Sequence, residues 1–386
     1  MMRYGLVWHY IFAIFFYGAI NYLAWYYFSR CCGQKSRRLN IIFPTLFVLF
    51  GLCVSYDALQ FVNGVYNSGV GEFLGLLGMS WLLGGAFTVV LLLLFFVINL
   101  AGKIFRRQIG AAVRKVFLFI ALLLYLTAFL GMYNGWSTIV VNTQQFTSEK
   151  IKRPGVFRIA YFSDLHLGNV YNLATLDRTL TLVGAQRPDA LLIGGDLFDD
   201  EREIVPALKK LDEFGAAYAI PIYFVLGNHE YYCNIAKVLD ALAKSRVKLL
   251  NNAHVQLSGD NVYLLGVDYP LYEGGMRFDR KLAELNLRTA LLRVPENSLR
   301  VLLAHSPEYI EVINNRVLVD LVLSGHTHGG QVEVGPLNFF KAKFRYLRGR
   351  YELPNLTAVV STGVGGWLPF RFNCPAEINI IDIEAK

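Results

Sequence analysis

Five of the seven histidines in this 386-residue chain fall in short polar blocks that close apolar runs, in company with aspartate, asparagine and glycine. In chain order the blocks are Ser163-Asp164-Leu165-His166, Gly194-Gly195-Asp196, Gly227-Asn228-His229-Glu230, His305, and Ser324-Gly325-His326-Thr327-His328-Gly329-Gly330. Carboxylate, amide carbonyl and imidazole suit borderline divalent cations such as Mn, Fe or Zn, and a set without thiolate speaks against a structural zinc site. The two histidines of the last block, two apart on an extended chain, are expected to project to the same side, with the glycines taking the sharp turn. One carboxylate between two histidine-rich half-sites can bridge two ions. Two ions about 3.5–4 Å apart can ionise a bridging water and clamp the oxygens of an in-line phosphoryl displacement. Each block alone has an ordinary structural reading: Asp164 as a helix cap, Asn228 as a turn residue, His305 as a satisfied core histidine. Five such blocks in order are not explained that way.

The elements that must position these blocks begin at Val156. Apolar, β-branched runs predict strands at Val156 to Phe162, Asp189 to Ile193, Ile220 to Leu226, 254–257, 262–266, Leu299 to Ala304 and Leu318 to Leu323. Amphipathic spacing predicts helices at Leu173 to Ala185, Val205 to Phe214 and Ile235 to Lys244. This alternation is that of an α/β domain with helices packed on a sheet. The polar blocks then sit at the carboxyl ends of strands, where open α/β sheets gather their ligands. Of the histidines after residue 147, only His254 stands outside the blocks.

The order Asp-x-His, Gly-Asp, Gly-Asn-His-Glu, His, Gly-His-x-His resembles that of calcineurin-like metallophosphoesterases over essentially all of 156–386. The last block running on to Gln331, with Gly363-Val364-Gly365 and Pro369-Phe370-Arg371-Phe372 downstream, is similar to the membrane-associated bacterial branch of that family. The resemblance implies an α/β four-layer sandwich, two sheets flanked by helices. It implies two divalent metal ions, with Asp164, His166, Asp196 and His328 holding one, and Asp196, Asn228, His305 and His326 the other. Asp196 would bridge them. His229 would be the catalytic residue beside the substrate phosphate, stabilising charge or protonating the leaving oxygen.

The first part of the chain has a different composition. The chain is 54% hydrophobic and 17% charged, against about 25% charged in an ordinary soluble domain. Residues 1–146 carry 10 Lys+Arg against Asp57 and Glu72; of the chain's 37 basic and 29 acidic residues this leaves 27 of each in 147–386, so the net +8 belongs to the first part alone. Nucleic-acid binding is therefore not expected. Apolar stretches at about 6–28, 41–62, 73–100 and 116–135 predict a four-helix transmembrane module over 1–146, followed by a linker at 147–155. Arg30, Lys35, Arg37 and Arg38 follow the first span, and Lys103, Arg106, Arg107, Arg114 and Lys115 the third. By the positive-inside rule these loops are cytoplasmic, which puts 156–386 outside the cytoplasm, on a bacterial inner membrane. Arg3, Lys150, Lys152 and Arg153 pull slightly the other way. Asp57 is read as interfacial. The cysteines show no paired spacing; Cys31-Cys32 follows a span, and Cys233 and Cys374 could pair in an oxidising compartment.

The substrate is less legible. Lys341, Lys343 and Arg345, interleaved with aromatic residues after the last histidine block, could grip a phosphorylated head group or anionic lipid. Trp367-Leu368-Pro369-Phe370 could touch an acyl chain or form a core turn. The reading is a membrane-anchored phosphoesterase that cleaves phosphodiester or pyrophosphate bonds of envelope lipids or their precursors, by attack of a metal-bridging hydroxide. A UDP-2,3-diacylglucosamine pyrophosphatase-type enzyme is the alternative, and it requires a cytoplasmic site. A non-catalytic metal-binding membrane sensor or scaffold is the second. Expected partners are a phosphorylated small molecule or lipid and the membrane lipids themselves.

Overall fold

The computed structural model describes residues 16–29 (apart from 17 and 27), 39–62, 70–105, 110–151, 154–257 (apart from 169), 261–271, 277–313 and 319–386 (apart from 367). The chain divides into two units, Met1–Tyr133 and Asn134–Lys386.

The first unit is helical. Helix α1 spans Leu39–Val62, α2 spans Val70–Ile104, and α3 spans Ala111–Ser137, its last turn belonging to the second unit. Phe73–Ile104 and Ala111–Ser137 are long and apolar enough to cross a bilayer, which accounts for the third and fourth expected spans. The second falls in α1, a 24-residue helix that contains Pro44. Most of the first expected span lies outside the described residues. So do Cys31, Cys32, Arg30, Lys35, Arg37, Arg38, Arg106, Arg107 and the Asp57 side chain. Leu93, Val97, Phe119 and Leu122 are exposed on these helices. Within the unit, Trp81 donates its indole N–H to Asn21 Oδ1 at 2.6 Å.

The second unit contains two six-stranded sheets. The first has the order β1 (Ile139–Ser148), β12 (Ala376–Ala385), β2 (Val156–Phe162), β3 (Ala190–Ile193), β4 (Ile222–Phe224), β5 (Lys248–Leu249). The second has the order β10 (Gly349–Leu353), β11 (Leu356–Val360), β9 (Leu321–Ser324), β8 (Leu299–Leu303), β7 (Val262–Gly266), β6 (Ala253–Leu257). Alternation along each strand feeds two cores at once. In β2, Ala160 and Phe162 join a core with helices α4 (Leu173–Ala185), α5 (Ile204–Tyr218) and α6 (Asn228–Ala243). Ile159 and Tyr161 instead meet Leu299, Val301 and Leu303 of β8 between the sheets. On the far side, Leu302 and Ala304 pack with Ala283 and Leu287 of α7 (Arg280–Ala290). Three cores separate four layers, helix, sheet, sheet, helix, as expected.

Two local expectations need correction. The boundary placed at 146/147 falls inside β1, which pairs parallel to β12 from Ile139↔Ala376 to Ser148↔Ala385. Its polar Thr143, Gln144 and Gln145 hid it from hydropathy, and side chains stitch it instead: Asn142 Nδ2 donates to Glu377 Oε2 at 2.7 Å and Gln144 Nε2 to Asn379 Oδ1 at 3.2 Å. Helix α6 begins at Asn228, not Ile235; Asn234 is extended at φ 178°, and the expected start is that of the segment after this break.

Candidate metal centre

Each expected ligand leaves the carboxyl end of a strand: Asp164 and His166 after β2, Asp196 after β3, Asn228 after β4, His305 after β8, His326 and His328 after β9. Asp164, His166, Asp196, His326 and His328 all adopt left-handed backbone, with φ between 50° and 70°. The extended chain expected for His326-Thr327-His328 is therefore not found. The turn lies at the histidines themselves and sends them to different clusters. Asp164, His166 and His328 form one group of convergent donors, and Asp196, His305 and His326 another. His166 Nε2 lies 3.3 Å from His328 Nε2, and His305 Nε2 3.1 Å from His326 Nδ1. Asp196 Oδ2 faces both, 3.0 Å from His305 Nε2 and 3.8 Å from His166 Nε2. Close packing fixes this arrangement: a Cβ on Gly325 would collide with Asp164 Oδ2 and Ser163 Oγ.

Backbone donors hold the carboxylates. The His326 N–H donates to Asp164 Oδ1 at 2.9 Å, and the His229 N–H to Asp196 Oδ1 at 2.8 Å, which leaves Asp196 Oδ2 turned inward. His305 Nδ1 is fixed at 2.8 Å from the Gly194 carbonyl oxygen, leaving Nε2 for the cluster. Asn228 Oδ1 is buried without a hydrogen bond of ordinary geometry.

The protonation pattern marks where cations belong. Burial lowers the pKa of His166, but the Asp199 hydrogen bond and the charges of Asp196, Asp199 and Asp164 outweigh it and hold the ring at about 9. Burial also opposes charge on His305, yet the charge of Asp196 and its hydrogen bond hold it at about 9. Their partners go the other way: burial and the His305 charge push His326 down to about 3, and burial and the His166 charge push His328 well below the usual range. Asp196, although buried, is kept well below the carboxylate range by His305, His166 and His229. In each cluster the pKa of one ring is thus raised and that of its neighbour lowered, and burial also raises that of Asp164. Buried oxygen and nitrogen donors that converge in this way fit divalent ions, whose binding displaces protons from the rings.

His229 stands apart from this core with 28% of its side chain exposed. Its ring lies edge-on to that of His166 with centroids 4.4 Å apart, and its Nε2 is 4.0 Å from Asp196 Oδ2. Of the expected substrate contacts, Lys343 Nζ lies 4.9 Å over the Phe344 ring, whose edge meets His326 at 5.9 Å. Lys341 turns to Glu333 at 3.2 Å. Arg345 lies over Tyr346 and lines a different cleft with Arg280 and Asn355. Pro369 and Phe370 are buried and Leu368 is exposed, while Trp367 lies outside the described residues. Cys233 and Cys374 are both free. His254 is away from the clusters, with Nδ1 2.9 Å from the Ala290 carbonyl oxygen.

Three supporting residues were not singled out by sequence. Asp199 Oδ1 lies 2.8 Å from His166 Nδ1 and 2.7 Å from His229 Nδ1, orienting both rings. In Asp199-Asp200 nothing in the sequence selects the first acid. Buried Glu230 accepts the N–H groups of Gly227, Asp196, Leu197 and Phe198 and so ties the β3 and β4 loops together. Arg371, 1% exposed, donates to the carbonyls of Thr362, Gly363, Gly365, Cys374 and Pro375. The loop it gathers donates from Val364 N to Ser163 O at 3.0 Å and from Gly365 N to Asp164 O at 2.7 Å. Its place in the Pro369-Phe370-Arg371-Phe372 motif was a signal without a role.

Two sheets between helices, with two neighbouring donor clusters at the strand ends and Asp196 Oδ2 facing both, define a metallohydrolase architecture. The chain belongs to the calcineurin-like phosphoesterase family, whose sequence profile matches residues 157–330. It is similar to a metallophosphoesterase of Campylobacter jejuni, 33% identical over 258 residues covering 64% of this chain and 65% of that one. A metallophosphoesterase of Aquifex aeolicus is 30% identical over 274 residues, 68% of this chain and 99% of that one. A transmembrane protein with metallophosphoesterase domain from Danio rerio is 28% identical over 333 residues, 81% of this chain and 74% of that one. The chain thus spans slightly under two thirds of the Campylobacter relative.

Proposed function

We propose that the chain is a membrane-anchored dimetal phosphoesterase acting on phosphodiester or pyrophosphate bonds of envelope lipids or their precursors. The observation that carries this reading is the pair of donor clusters with Asp196 Oδ2 between them. Asp164, His166, Asp196 and His328 would hold one ion, and Asp196, Asn228, His305 and His326 the other. When bound, the ions supply Lewis-acid charge and lower the pKa of a water. The residues supply placement. Asp199 and the Gly194 carbonyl oxygen bind the Nδ1 atoms of His166 and His305, so their Nε2 atoms are the ones committed inward. His229 has Nδ1 on Asp199 and its ring at the mouth of the site, where Nε2 can carry a proton to the leaving oxygen. Two long apolar helices and the name of the Danio relative support anchoring, and the basic loops support an extracytoplasmic site on a bacterial inner membrane.

The test is hydrolysis of bis-p-nitrophenyl phosphate by the full chain in detergent, with manganese added and after chelation. Manganese-dependent turnover that disappears in Asp196→Ala, together with loss of both bound metals, is expected. Turnover that persists in that variant, or metal content that stays at two per chain, would sink the assignment.

A further inference from the structure

Shortly after His328 the chain makes a tight hairpin. Val334 N donates to Leu337 O at 2.9 Å and Leu337 N to Val334 O at 3.0 Å, across Gly335-Pro336. Gly335, at φ 57°, takes the left-handed conformation that the first central position of such a turn needs. The tip carries two large apolar side chains, Val334 at 56% and Leu337 at 67% exposure, and Leu368 nearby is 44% exposed. The two stretches are joined: Gln331 Nε2 donates to the Leu368 carbonyl oxygen at 2.7 Å, and Val332 bridges Phe372. Lys341 flanks the tip, paired with Glu333 next to Val334. Lys343 follows, over the Phe344 ring that meets His326. An exposed apolar tip followed closely in the chain by two lysines, one of them paired with Glu333, has the chemistry of a contact with an anionic lipid surface.

The covalent chain indicates where that surface lies. The last residues of α3, which belong to this unit, pack on the same strip: Asn134 Nδ2 donates to the Arg371 carbonyl oxygen at 3.5 Å, and a Cβ on Gly135 would collide with the Pro369 carbonyl. From there Ile139 pairs with Ala376, and near the start of β12 Asn379 pairs with Tyr161 at the carboxyl end of β2. The point where the chain leaves its apolar helix therefore lies at the same end of the first sheet as the strand ends that carry the ligands.

We propose that Val334, Leu337 and Leu368, with Lys341 and Lys343, dock on the anionic headgroup layer of the bilayer and hold the His305–His326 side of the site against it. This rests on the reading of the chain as a membrane-anchored phosphoesterase and names the lipid surface as its partner. The test uses the full chain reconstituted into vesicles of phosphatidylcholine and phosphatidylglycerol, a fraction of the lipid carrying a doxyl quencher near the head group. Leu337→Trp is compared with Tyr218→Trp, since exposed Tyr218 closes α5 just before β4 starts, at the end of the strands away from the ligands. Fluorescence added at 337 should be quenched several-fold more than that added at 218, and the excess should shrink when Lys341→Gln and Lys343→Gln are introduced. Leu368→Trp serves as a second reporter should the first variant misfold. Equal quenching at both positions, in a chain that floats with the vesicles, overturns the docking surface alone. A chain that does not float overturns the anchored reading and the docking surface with it. The readout needs no turnover, so absent phosphoesterase activity leaves it standing.

Discussion

A left-handed backbone at a residue with a Cβ costs about 1–2 kcal/mol, and Asp164, His166, Asp196, His326 and His328 all adopt it. Strain concentrated at five of the seven expected ligands is what a preorganised site shows. The types and order of those ligands are legible in the sequence because the chemistry restricts them to carboxylate, amide and imidazole. Their support is not: Asp199 and Glu230 act through hydrogen bonds that exist only once β3 and β4 lie side by side. Asp199→Asn should disorient His166 and His229 together. Loss of such a partner of a metal-bound histidine typically costs about 10–100-fold in affinity or activity. The expected result is lower kcat and weaker retention of the ion at Asp164, His166 and His328, read by turnover and by metal analysis after dialysis; unchanged values in both would remove Asp199 from the site. A pH dependence also follows. In the metal-free protein His166 and His305 have raised pKa values, so the stability they contribute is complete below the unfolded value near 6.5. It is lost as the pH rises through about 9. An incoming ion must displace those same protons. Melting temperature without metal should therefore fall over this window while apparent manganese affinity rises, and an affinity flat across it would show both rings already neutral.

At the level of elements, β2 and α4 begin and end where the sequence pattern puts them. Strands β10, β11 and β12 and helix α7 carried no expectation, although β11 and β12 are apolar and feed the cores, and β1 escaped because polar pairing holds it. Strand β1 has a single neighbour and a side chain ladder of Asn142, Gln144, Glu377 and Asn379. A domain begun at residue 147 would keep all the expected ligands and lose this strand. It would leave the long edge of β12 unpaired, a template for aggregation. Compared with a version begun at Asn134, it should melt several degrees lower and elute as larger species in size-exclusion chromatography. Equal melting and a monomeric profile for both would make β1 dispensable.

For the molecule as a whole, composition separates an apolar, basic first part from a charge-balanced second part, but the units divide at 133/134 rather than at 146/147, because β1 belongs with the second. Sidedness rests on the loop charges. Protease added to spheroplasts should remove the 134–386 unit while leaving a cytoplasmic marker intact. Protection equal to that of the marker would place the metal centre in the cytoplasm and bring nucleotide-linked lipid precursors within its reach. Pairing in the first sheet carries a consequence for biosynthesis. Asn142 and Glu377, 235 residues apart in sequence, meet across β1 and β12, and β12 also pairs with β2. Contacts of such long separation form late and slowly. On the anchored reading α3 reaches the membrane early, while β1 must wait for nearly the whole domain to be translated. A nascent chain stalled before Ala376 carries every expected metal ligand, yet lacks the strand on which both β1 and β2 pair.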